Sequence, residues 1–314
     1  MAARYTLDSQ YAIIVSMNTH ENKLAASIQS QGYVADEQLI ASLQLMSILQ
    51  KPLLIEGEAG VGKTDVARCL ARAHNAELIR LQCYEGLDAQ HALYDWDYKR
   101  QLLAIQLNNI QSKQKSGIAP DSSTLYDESY LLKRPLFKAI TSKEPAVLLI
   151  DEVDRADEEF EALLLEVLAD FQITVPELGT FTSVTKPWVI LTSNGVRELS
   201  DALRRRCLYH YIDFPGREKE MEILIARIPD IDQRLANQVV DYVQNLRSNA
   251  LRKTPGVAET LDWAAALLGV GVKDLQNDDQ GLVSSTMGCL LKTREDLELV
   301  NFMKTEAEAQ QSES

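Results

Sequence analysis

Apolar positions along this chain fall into two rhythms. From Asp36, the stretch "DEQLIASLQLMSIL" sets Leu39, Leu43, Met46 and Leu49 at helical spacing behind an aspartate suited to an N-cap, and "KPLLIE" then closes up into the continuous apolar run of a buried strand. The alternation repeats. "TDVARCLARAHN" reads as a helix, "AELIRLQC" as a second strand, "PAVLLIDEVD" as a third, "KPWVILTSN" as a fourth and "CLYHYIDF" as a fifth. Strands interleaved with helices predict an α/β fold with a parallel sheet. After "FPGR" (214–217) the strand pattern stops. "EKEMEILIARI", "IDQRLANQVVDYVQNLRSNA", "VAETLDWAAALLGV" and a segment near 280–292 predict an all-helical domain joined by a Pro-Gly hinge. Residues 1–21 have no periodicity and are read as a tail or edge element, and the polar stretch 301–314 is expected to be disordered.

Composition fits this division. With 314 residues and 46% hydrophobic content, the chain can bury one large core and a smaller one. No apolar run approaches the roughly 18 residues a membrane span needs, and the first residues lack a secretory pattern, so a cytoplasmic location without membrane insertion is expected. Cys69, Cys83, Cys207 and Cys289 form no C-x-x-C pair and share no ligand spacing with the four histidines, which speaks against zinc or a disulfide framework. The net charge of −14 repels phosphate backbones, so nucleic acid is not an expected partner.

The chemistry concentrates at strand ends. "GEAGVGKT" meets the spacing G-x-x-x-x-G-K-[ST] between a strand and a helix, with Gly57, Glu58, Ala59, Gly60, Val61, Gly62, Lys63 and Thr64. Its glycines let backbone N–H groups turn inward onto anionic oxygens. Lys63 is placed to reach the β/γ-phosphates of a nucleotide, and the Thr64 hydroxyl to ligate Mg²⁺. "AVLLIDEVDRAD" ends a second buried strand in two carboxylates. Asp151 suits a role in the Mg²⁺ shell through water, and Glu152 suits a general base, although a strand-end "DE" also serves as a helix N-terminal charge pair. In "WVILTSN", Asn194 is either a turn former or a group pointing from the strand tip at the γ-phosphate or lytic water. Arg204, Arg205 and Arg206 are consecutive in "DALRRRC", where they cap a helix or supply a guanidinium to a neighbouring subunit.

The order "GEAGVGKT", "LLIDEVDRAD", "ILTSN", "ALRRRC" and then a helical lid resembles the AAA+ ATPases, and within them the MoxR family. "LIRLQCYEGLDAQHALYDWDYKRQLLAIQ", "LYDESYLLKRPLFKAI" and "RKTPGVAETLDWAAALL" are similar to the branch typified by CoxD. The resemblance covers about residues 22–292. It implies an AAA+ P-loop core with a five-stranded parallel sheet over 22–215 and a helical lid over 216–300. It also implies ATP and Mg²⁺ as cofactors, Gly57 to Thr64 as the Walker A loop, Asp151 and Glu152 as the Walker B pair, and Asn194 as the first sensor. Arg206 falls at the arginine of the family's "ALLDRF" box, with Arg205 as the alternative finger. A hairpin within "FQITVPELGTFTSVTKPWVI" and an insertion containing Tyr94, Trp96 and Tyr98 are implied on the client-facing side, where the aromatic alternation also fits a packed edge. One departure stands out. Gly256 in "TPGVAET" occupies the place of the second-sensor arginine, which leaves either Arg252 or Lys253 as a substitute or a lid coupled to ATP in a different way.

The resemblance further implies a homo-oligomeric ring, a hexamer, acting with a von Willebrand factor A domain partner on a client metalloenzyme. A DNA-associated motor and a nucleotide-gated scaffold with little hydrolysis are the alternatives.

Overall fold

The computed structural model describes residues 23–112, 126–277 and 281–312; the element expected over 1–21 lies outside them. The elements run α1 (23–29), α2 (Glu37–Leu49), β1 (Leu53–Gly57), α3 (Lys63–Ala73), β2 (Glu77–Gln82), α4 (Ala89–Ala92), β3 (Tyr94–Trp96), α5 (Tyr98–Ser112), β4 (Leu131–Lys133), α6 (Pro135–Thr141) and β5 (Ala146–Asp151). There follow α7 (Glu158–Asp170), β6 (Gln172–Val175), β7 (Gly179–Thr182), β8 (Trp188–Ser193), α8 (Asp201–Arg206) and β9 (Leu208–Ile212). The helices α9 (Arg217–Arg227), α10 (Gln233–Arg247), α11 (Val257–Gly269), α12 (Leu282–Thr286) and α13 (Arg294–Ser312) complete the chain.

Five strands form one parallel sheet in the order β2-β5-β8-β1-β9, as the strand and helix alternation predicts. The inner strand β5 is buried along its whole length, and the central strand β8 along all but its first residue, which is why both read as unbroken apolar runs. Register aligns the strand ends. Glu56 lies opposite Ser193, and Gln82 opposite Asp151, so polar side chains gather at one edge where the buried apolar strands stop. Two small antiparallel pairs, β3 with β4 and β6 with β7, are appended; the second is the hairpin expected before β8.

By contact the described residues divide into two compact units, 37–56 with 67–210, and 23–36 with 57–66 and 211–312. The first has a core of Leu54, Leu136, Phe137, Leu148, Ile150, Phe160 and Leu164, packed between sheet and helices. Its helix α7 begins at Asp157, whose carboxylate accepts the Phe160 N–H at 2.9 Å as an N-cap. Trp96 is buried, Tyr94 packs edge-on to Phe137, and Tyr98 is exposed at the start of α5, so the aromatic alternation is a packed edge at two of its three positions.

The second unit closes around Trp263, Leu235, Val239, Val243 and Leu267. Its charged centre is Glu220, 1% exposed, which accepts two hydrogen bonds from the Arg247 guanidinium at 2.7 Å and one from Thr260 at 2.8 Å. The stretch from 301, expected to be disordered, is helical through Ser312. The helix α13 starts with reciprocal bonds between Thr293 and Asp296 and continues through a run of lysine, alanine, glutamate and glutamine, all strong helix formers.

Candidate functional site

The glycine loop leaves β1 and enters α3, and its backbone is packed where a side chain has no room. A Cβ on Gly57 would lie 2.2 Å from the Ile212 carbonyl oxygen. Lys63 is buried on the first turn of α3, and its ammonium donates to the Gly57 and Glu58 carbonyls at 2.7 and 2.6 Å, inside the curl of the loop. Val61 is buried, Glu58 and Ala59 are exposed, and Thr64 is half-buried beside Lys63. Neighbouring Asp65 pairs with Arg227 at 2.8 Å.

The start of α11 sits on this loop. Ala258 N–H donates to the Gly60 carbonyl at 3.2 Å, and the Glu259 carboxylate accepts the Gly256 N–H at 3.0 Å. A Cβ on Gly256 would meet Ala59 O at 2.7 Å and Gly60 Cα at 2.9 Å. No arginine fits there. Of the two substitutes, Arg252 has its side chain engaged elsewhere. The Arg252 guanidinium pairs with Glu295 at 3.0 Å, and the backbone N–H groups of Arg252 and Lys253 are held by Asp296.

At the ends of β5 and β8 the predicted carboxylates and amide come together. Asp151, 3% exposed, accepts from the Thr192 hydroxyl at 2.5 Å and from Arg80 Nε at 3.0 Å. Thr192 in turn accepts the Glu152 N–H at 2.9 Å, so a single hydroxyl bridges the two acidic residues. The Glu152 backbone is left-handed, at φ 55°, which turns the chain sharply after the strand. Its carboxylate receives Asn194 Nδ2 at 3.3 Å and Gln82 Nε2 at 3.0 Å, and pairs with Arg155 at 2.9 Å. Held on three sides, this carboxylate has a fixed orientation, as a general base requires. The local field is strongly negative. Burial, and after it the charges of Asp151, Asp154 and Glu152, push the Cys83 thiol up to about 12.

The arginines of α8 separate. Arg204 pairs with Glu56 at 3.3 Å, Arg206 donates to the Leu165 carbonyl at 2.6 Å, and Arg205 is exposed. Neither Arg205 nor Arg206 joins the Glu152 cluster.

Thr192, Gln82, Arg80 and Asp154 carry no motif of their own. Thr192 is marked in sequence by a hydroxyl inside an otherwise apolar strand, and Gln82 by its position at the end of the strand before Cys83. Asp154 is 2% exposed, and its Oδ2 accepts the N–H groups of Asn194 and Val196 at 3.2 and 2.9 Å, which shapes the turn that presents Asn194.

Residues 52–207 match the family described as the AAA domain, dynein-related subfamily. The gas vesicle ATPase GvpN of Haloferax mediterranei is 23% identical over 264 residues, covering 78% of this chain and 73% of that protein. An uncharacterized protein of Staphylococcus haemolyticus is 25% identical over 228 residues, covering 70% of this chain and 78% of its own. Among solved structures, the Thermotoga maritima RuvB Holliday junction branch migration motor aligns with a TM-score of 0.43 at 18% identity, over 80% of this chain and 67% of that one.

Proposed function

From the premise that residues 52–207 are an AAA domain with the AAA+ P-loop NTPase fold, we propose that this protein is an ATP-hydrolysing AAA+ protein of the MoxR type, in its CoxD-like branch. The observation that carries the reading is the Glu152 carboxylate oriented by Asn194 and Gln82 next to a buried Asp151. Such a group is built to take a proton from water.

The residues suit the nucleotide. The curled loop from Gly57 to Thr64 offers N–H donors to phosphate oxygens, and Lys63 exchanges its two carbonyl partners for phosphate. Mg²⁺ would be held by Thr64, by Asp151 through water, and by the phosphates. When bound, Mg²⁺ supplies charge neutralisation to the phosphate oxygens. Glu152 accepts the proton of the attacking water, Asn194 fixes that water and the carboxylate, and an arginine from a neighbouring copy, Arg206 or Arg205, meets the charge of phosphoryl transfer.

On this reading residues 22–215 are the ATPase core, 216–300 the lid, and the chain assembles as a hexameric ring. With a von Willebrand factor A domain partner, it remodels or activates a client metalloenzyme. A nucleotide-gated scaffold is the second reading, favoured by Gly256 in place of a second-sensor arginine. Binding and turnover separate the two. Lys63→Ala loses ATP affinity, Glu152→Gln keeps affinity and loses turnover, and a wild-type rate no higher than that of Glu152→Gln selects the scaffold.

A further inference from the structure

Asp151 ends the inner strand β5 with almost no access to water, its side chain 4% exposed, and both of its oxygens are engaged from the strands on either side. From β8, the Thr192 hydroxyl donates to Oδ1 at 2.5 Å. From β2, Arg80 donates to Oδ2 twice, through Nε at 3.0 Å and Nη2 at 2.5 Å. Register explains the reach. Gln82 stands opposite Asp151 in the parallel ladder, and Arg80, two residues earlier, shares its face of β2 and meets Asp151 along a diagonal that a long side chain spans. Nη2 also donates to Gln82 Oε1 at 2.5 Å, which holds the guanidinium from a second side.

An ionised carboxylate so deeply buried needs a cation, and stripping one member from such a pair is strongly destabilising. Arg80 meets that need within the chain itself. Yet a carboxylate oxygen has two lone pairs, and Arg80 fills both on Oδ2. A metal-bound water donates to Oδ2 only once the guanidinium has left, and two cations drawn to one carboxylate repel each other. Arginine keeps its proton at any working pH, so movement, not titration, is what frees Asp151. The two partners differ in freedom to move. Asp151 is fixed at the end of a buried strand, whereas the Arg80 side chain is 47% exposed on the edge strand β2 and keeps its charge solvated when it swings outward. We propose that Arg80 is the counter-ion of Asp151 in the absence of metal and is displaced by Mg²⁺, so that Arg80 sets how tightly the ion of the nucleotide is held. The inference rests on the ATPase reading above, in which Asp151 holds Mg²⁺ through water. Arg80 is then a positioning residue that acts on the ion through Asp151. Removing a competitor tightens binding and removing a support weakens it, so the sign of the effect separates the two roles.

The test is binding of Mn²⁺, which takes the same oxygen ligands, titrated by electron paramagnetic resonance in the presence of ADP. Arg80→Gln keeps a donor for Oδ2 without the charge, and it binds Mn²⁺ at least about tenfold more tightly than wild type, a change of about 1.4 kcal/mol. Arg80→Lys keeps the charge and stays within about threefold of wild type. Mn²⁺ affinity in Arg80→Gln equal to or below that of wild type overturns the displacement, and so does tightening in Arg80→Lys as large as in Arg80→Gln. A second readout serves if Arg80→Gln loses its fold by circular dichroism. In wild-type protein carrying isotope-labelled arginine, the Nε–H resonance of Arg80, assigned by its absence from Arg80→Lys, exchanges slowly with ADP alone and fast once Mg²⁺ is added. A signal that stays slow with Mg²⁺ and ADP overturns the displacement as well. Wild type that binds ADP with Mn²⁺, while Arg80→Gln shows no tightening, defeats the role of Arg80 alone. Wild type that binds neither ADP nor Mn²⁺ defeats the ATPase reading, and the role of Arg80 falls with it.

Discussion

Gly256, at the start of α11, packs against Gly60 of the glycine loop so closely that a methyl group on Gly256 would stand 2.9 Å from Gly60 Cα. The helix α11 therefore touches the loop through backbone atoms, with Ala258 N–H on the Gly60 carbonyl. Close packing of this kind transmits displacement from one segment to the other because neither side has slack.

Gly256→Ala is thus expected to disturb nucleotide binding. Gly256 has an ordinary backbone, φ −83°, so the added methyl acts by contact alone. Overpacking of this kind costs about 1–3 kcal/mol, and ATP affinity measured with a fluorescent nucleotide falls about tenfold. Gly269→Ala, in the same helix with open space around it, leaves affinity unchanged.

Thr192→Val removes the hydroxyl that joins Asp151 to the Glu152 N–H. The orphaned groups destabilise the fold by about 1–3 kcal/mol, visible in urea unfolding. Because an oriented general base contributes about 10²–10⁴ to rate, turnover falls at least about tenfold with ATP affinity little changed.

The Glu220 and Arg247 pair is nearly solvent-free, with side chains 1% and 8% exposed. Arg247→Met leaves a buried carboxylate uncompensated and is expected to cost about 3–5 kcal/mol in unfolding experiments. Joining it with Glu220→Leu recovers part of that loss, since no lone charge remains. Arg247 Nε also holds the Pro255 carbonyl at 2.8 Å, so Arg247→Met further loosens the approach of Gly256 to the loop.

Cys83 is expected to resist alkylation. With its thiol raised to about 12 by burial and the adjacent carboxylates, the thiolate fraction at pH 8 is about 10⁻⁴. Iodoacetamide labelling followed by peptide mass spectrometry leaves Cys83 unmodified in the folded protein and labels it once the protein is unfolded.

The sequence made the sheet legible because its inner strands are buried on both faces and leave unbroken apolar runs such as "AVLLI". It made the loop, Glu152 and Asn194 legible because each is local, a short signal at a strand end. Thr192, Gln82 and Arg80 were hidden for the opposite reason. They meet the acidic pair across the ladders β2-β5 and β5-β8, and only register brings them there. The Gly256 contact joins segments far apart in the chain, so the glycine reads as a missing arginine until the packing is seen. The run beyond 301 misleads in another way. Its sequence from Lys304 is mostly polar, which argues for disorder, while helix propensity and the Thr293 and Asp296 cap argue for α13.

The most direct test of the account is ATP turnover per subunit across a range of protein concentrations, with Glu152→Gln as the blank. An oriented Glu152 completed by a neighbour's arginine predicts turnover above the blank that climbs with concentration, and a loss of roughly 10³-fold in Arg206→Ala. Turnover that never exceeds the blank at any concentration would contradict it.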